Sequence, residues 1–61
     1  MNKKYKWYLS SIKFGGYSLD TVPVHLRDQK MCVAALRDNP NNMGYIPEEI
    51  YSSVRRELGF D

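Results

Sequence analysis

The sequence predicts an all-α mini-domain, a bundle of about four to five short helices. Three observations lead there. Apolar residues recur at helical spacing in three stretches, residues suited to starting and stopping helices stand at the ends of those stretches, and the pattern echoes itself along the chain. The 61 residues leave room for one small domain. At roughly 0.05–0.15 kcal/mol per residue, its stability should be about 3–9 kcal/mol. A two-domain enzyme or a cofactor-binding α/β sheet does not fit this length.

In the first stretch, residues 2–14, Tyr5, Tyr8, Leu9 and Ile12 fall on one helical face and Lys3, Lys4, Lys6 and Lys13 mostly elsewhere. The alternation of Tyr5, Trp7 and Leu9 also suits a strand, but the spacing continues to Ile12. Gly15 then stands where a helix C-terminal cap belongs. In the middle stretch, Pro23 opens a short helical turn, where its missing N–H is not needed. Asp28 reads as an N-cap accepting from the amides of Lys30 or Met31. Met31 to Leu36 cover most of a helix circumference, so this element is the expected centre of the core. Arg37 and Asp38 return the chain to water, and Asn39-Pro40-Asn41-Asn42 break it. The third stretch starts at Pro47, with Glu48 and Glu49 favoured by the dipole of its first turn. Ile50, Tyr51, Val54 and Leu58 form its apolar face. Gly59 supplies a left-handed cap, over which Phe60 would fold back toward Val54.

At an offset of 24 residues, Leu19-Asp20-Thr21-Val22-Pro23 overlies Met43-Gly44-Tyr45-Ile46-Pro47, and Leu26 overlies Ile50. Asp28 falls over Ser52, a second candidate cap. In the other direction Leu9 overlies Val33, Ile12 overlies Leu36 and Gly16 overlies Pro40. This register divides a single domain into an N-terminal helix (1–16), a first repeat (17–40) and a second repeat (41–61), so the bundle consists of two to three degenerate units. The stretches LDTVPVHLRDQKMCVAAL and MGYIPEEIYSSVRREL resemble the short, Pro-initiated helical repeats of a bacterial and viral domain family of unknown function. The resemblance covers residues 7–60 and implies a helical fold with no attached chemistry. The last unit departs from the pattern, with Arg55-Arg56-Glu57 where the first has Met31-Cys32-Val33. That departure suggests a capping repeat with a polar outer face.

Composition narrows the functional classes. Apolar residues at 43% and charged residues at 26% are ordinary globular usage. One Trp, five Tyr and two Phe are many for this size. A lone cysteine, Cys32, permits no internal disulfide and points to a reducing compartment, hence the cytoplasm. No apolar run suits a signal peptide or a membrane span.

Chemistry finds little purchase. His25 and Cys32 would need a helix running through Asp28 to lie two turns apart, and a Cys within an apolar run is a poor nucleophile. One His and one Cys offer no metal-ligand pair, Glu48 and Glu49 point to different helix faces, and Gly15-Gly16 lacks a phosphate-binding context. The expectation is therefore a non-enzymatic protein without metal or cofactor.

Two binding modes remain. The first is docking on another protein, or on a second copy, through surplus aromatics and arginines: Tyr17 and Tyr45 in the loops before Pro23 and Pro47, then Tyr51, Arg55 and Arg56. Trp7 and Met43 also count as apolar surplus. The second is nucleic-acid binding through Lys3, Lys4, Lys6, Trp7 and Lys13, with lysines on phosphates and rings on bases. Against it stands the plainer expectation that a small core needs the aromatics of the first helix inside it. A recognition helix at 47–58 would bring Glu48 and Glu49 toward phosphates that repel them. Residues 1–30 hold six basic side chains against two acidic ones and residues 31–61 three against five, so the field is uneven.

Overall fold

A computed structural model describes residues 3–59. Three α-helices, α1 (Lys3–Phe14), α2 (Gln29–Asp38) and α3 (Glu48–Leu58), are joined through three 3-10 segments at Leu19–Thr21, Val24–Leu26 and Pro40–Tyr45. No strand occurs among the described residues, and the fold class is all-α. The proposed return of Phe60 toward Val54 lies outside the described residues.

Helix ends follow local chemistry. α1 stops at glycine: Gly15 and Gly16 both adopt positive φ (101° and 93°), and the Gly15 N–H reaches the carbonyls of Ser11 and Ile12. α2 starts at Asp28, whose carboxylate accepts from the Met31 N–H at 2.9 Å. α3 starts one residue after Pro47 and ends at Gly59, in the left-handed conformation (φ 76°) with its N–H on the carbonyls of Arg55 and Arg56. Asn39-Pro40-Asn41-Asn42 ends α2 but is no loose linker. The Asn39 side chain accepts from the Asn41 N–H, and a six-residue 3-10 helix follows with Pro40 in its first turn.

α2 is the central element, packed against α1, α3 and the 40–45 segment. Met31, Cys32, Val33, Ala35 and Leu36 are buried on it, joined by Ile12, Leu19, Val22, Ile46 and Val54. Tyr5 donates to Asp28 at the start of α2, while Gly15 at the end of α1 lies against Asp38 at the end of α2. The two helices therefore run side by side in the same direction. Gln29 donates to the Ser53 carbonyl and the Glu57 carboxylate, which sets α3 antiparallel to α2.

The two aliphatic-Pro steps have matching backbones. Val22 and Ile46 are both buried with φ/ψ of −86/130° and −76/131°, and the prolines follow at −53/140° and −56/139°. Each closes a 3-10 segment, with Val22 N–H on Leu19 O and Ile46 N–H on Met43 O. A turn then follows each proline, Leu26 N–H on Pro23 O and Ile50 N–H on Pro47 O. α1 and α2 end at the same offset. The equivalence stops after Leu26. There the chain breaks at Arg27 (ψ 72°) and restarts at Asp28, whereas α3 continues through Tyr51 and Ser52. Ser52 is thus an interior residue of α3 and not a second cap.

Two polar side chains tie distant segments of the chain together. Asn42 is buried, accepts from the Leu19 N–H and donates to the Ala35 carbonyl, both at 3.0 Å. It ties the first 3-10 segment to the end of α2. The Arg27 guanidinium donates to three carbonyls, Val22 (2.8 Å), Tyr45 (3.1 Å) and Asp20 (3.3 Å). The residue at the break thereby clamps both aliphatic-Pro steps.

Candidate interaction surface

The inner face of α1 is set by Ile12, fully buried, with Tyr5, Tyr8 and Leu9 packed half-buried against the core. At 3.6 residues per turn, Trp7 and Phe14 fall on the opposite face. Trp7 is 53% exposed and Phe14 94% exposed. The expectation that the aromatics of the first helix line the core holds for the tyrosines and fails for Trp7. Leu19, Val22 and Ile46 from the connections between helices complete the core, and Trp7 lies on the face of α1 turned away from it.

Trp7 is the hub of an aromatic cluster. Tyr8 lies edge-on at 5.0 Å between ring centroids, and Tyr17, delivered by the glycine turn after α1, lies edge-on at 5.5 Å. Interplanar angles of 78° and 86° mean that neither tyrosine ring is parallel to the indole. Tyr17, a protein-docking candidate, and Trp7, a candidate for both binding modes, lie on one surface. Between Trp7 and Phe14 along α1 stand the small side chains of Ser10 and Ser11. The Ser11 hydroxyl donates to the Trp7 carbonyl at 2.9 Å, so its donor is satisfied within the helix. Lys4, Lys6 and Lys13 are exposed around this strip. Only the backbone of Lys3 is described, in the first turn of α1.

The other candidates separate. Tyr45 is exposed, and Met43 packs half-buried on the core. Tyr51 is no loop aromatic. It packs half-buried against the core within α3, with the Arg55 guanidinium 5.6 Å from its ring centroid. Arg55 is half-buried too, and Arg56 is exposed. These two arginines stand in the last turn of α3, where the helix dipole favours cations.

A separate open groove of about 690 Å³ runs over the outer side of α2, with Val33 and Ala34 along its floor and Lys13, Lys30, Arg37 and Glu57 around it. Among the described residues, no three His, Cys, Asp or Glu side chains gather as a metal site, and no helix is long and apolar enough to cross a membrane. Cys32 has no exposed surface; burial, reinforced by the charge of Asp28, pushes its thiol up to about 11. His25 sits exposed on the Val24–Leu26 turn, beyond the break at Asp28.

Family models, curated proteins and solved structures give no match to this chain. Function must therefore be read from the surface itself. Sequence reasoning counted Phe14 only among the aromatics available to the core and missed it as a surface residue, although its position seven residues after Trp7 marks the same helix face.

Proposed function

We propose that this protein is a small non-enzymatic interaction module, of adaptor or inhibitor type, that docks on another protein through the outer face of α1. One observation carries the reading: Trp7, Phe14 and Tyr17 are presented together to solvent by a 61-residue domain. Exposed aromatics of this size, gathered rather than scattered, are the anchors that protein interfaces use. Tyr45 and Arg56 are exposed accessory contacts. Tyr51 and Arg55 serve by holding α3 in place. The lone thiol supports a cytoplasmic setting. The matched aliphatic-Pro steps support the helical-repeat reading and the resemblance drawn from it.

Single-stranded nucleic acid is the second reading, favoured by the exposure of Trp7 among lysines. The perpendicular rings weigh against it, since they form no parallel ladder for successive bases. The test is affinity capture from nuclease-treated lysate of the source cells, comparing the native chain with a Trp7→Ala/Phe14→Ala variant. A protein retained stoichiometrically by the native chain and lost by the variant supports the module. Retention that disappears with nuclease or moderate salt moves nucleic acid to the front.

A further inference from the structure

The charge around the aromatic strip specifies a partner. Residues 3–14 contain four lysines and no acidic residue. At 100° per residue, Lys6 and Lys13 share one flank of the Trp7–Phe14 strip and Lys4 takes the other. The flanks are cationic and the ridge is apolar. Ser10 and Ser11 stand between Trp7 and Phe14 along α1, the latter with its hydroxyl already bonded to its own helix. An apolar side chain laid over Ser11 therefore does not strand its donor.

We propose that the outer face of α1 receives an acidic amphipathic helix of another protein, with one large apolar side chain seated between Trp7 and Phe14 and carboxylates beside Lys6 and Lys13. This rests on the protein-docking reading and narrows it to a partner chemistry. Charge complementarity selects the occupant. A symmetric pairing of two copies through this face would set lysines against lysines. The groove over α2 is a poorer seat for an acidic segment, because Asp38 and Glu57 line it beside its three cations.

Trp7 is the only tryptophan, so its emission reads the site directly. The chain is titrated with a synthetic helix of about 14 residues bearing Glu on its polar face and Leu and Phe on the other. Parallel titrations use the same peptide with Gln for Glu, an oligothymidylate, and vesicles of phosphatidylglycerol. A blue shift with the Glu peptide supports the proposal when it weakens about tenfold with Gln for Glu and about tenfold in Lys6→Glu/Lys13→Glu. Phe14→Ser, altering a side chain that is almost fully exposed, should weaken it to a similar degree, and circular dichroism verifies that each variant remains helical. Equal binding of the Gln peptide overturns the acidic partner and leaves protein docking standing. A response to oligothymidylate or vesicles alone overturns both. Silence toward all four probes overturns the acidic helix, and lysate capture then decides docking separately.

Discussion

Replacing Asn42 by Ala removes the acceptor of the Leu19 N–H and the donor to the Ala35 carbonyl in one step. The Ala35 carbonyl keeps the Asn39 N–H, so the loss falls on the Leu19 N–H; a buried group left without a partner costs about 1–3 kcal/mol, a large part of a total stability of about 3–9 kcal/mol. Urea unfolding followed by circular dichroism should show a midpoint lowered sharply with little change in slope. At alkaline pH, Tyr5 and Cys32 act in the same sense. Burial and the Asp28 carboxylate push the Tyr5 hydroxyl from 10.0 up to about 12, and the Cys32 thiol rises from 9.0 to about 11. Both groups ionise more readily in the unfolded chain. Their contribution is therefore fully present below pH 9 and is lost as pH rises through 11 to 12. The urea midpoint should fall across that window, and Tyr5→Phe should flatten its upper part; an unchanged profile in that variant would show that Tyr5 contributes nothing to it. The cap at Asp28 and the buried thiol were legible from sequence because both depend on near neighbours. The burial of Asn42 was not. In sequence it belongs to a polar breaker, and only the approach of Leu19 from 23 residues away gives its amide a purpose.

Among the elements, α3 was the most legible, with its start after Pro47, apolar stripe and glycine cap all visible in order. The Val24–Leu26 turn was legible only in part, because its end is fixed by a tertiary clamp. Arg27 donates to three carbonyls from two distant turns, a role that follows from where those carbonyls meet. Lysine cannot reproduce that planar fork. Arg27→Lys should therefore cost about 1.5–3 kcal/mol despite keeping the charge. Hydrogen exchange would place the loss at the amides of Val22 and Ile46, each just before a proline. Equal stability of the lysine variant would mean that charge alone holds the clamp.

For the molecule as a whole, the core and the interaction face lie on opposite sides of α1, which predicts that they can be perturbed independently. Phe14→Ala should change stability by no more than about 0.5 kcal/mol. Trp7→Ala, which gives up two edge-to-face contacts, should stay within about 1–2 kcal/mol. Both variants should lose binding while remaining helical, as thermal melts and the capture experiment would show. A collapse of the Trp7 variant would instead make the indole a structural residue and remove the surface argument. The sequence by itself determined the helical class, the helix ends and the central place of Met31–Leu36, since these follow from local propensity, capping and apolar period. It also carried the offset between the two aliphatic-Pro steps. Only the tertiary structure decided which aromatics are inside. The helical period sets Trp7 apart from Tyr5, Tyr8, Leu9 and Ile12, while a small core's need for aromatic mass argues for drawing it in. Leu19, Val22 and Ile46, brought in by the connections between helices, complete that core, and Trp7 faces solvent beside Tyr17 on the other side of α1.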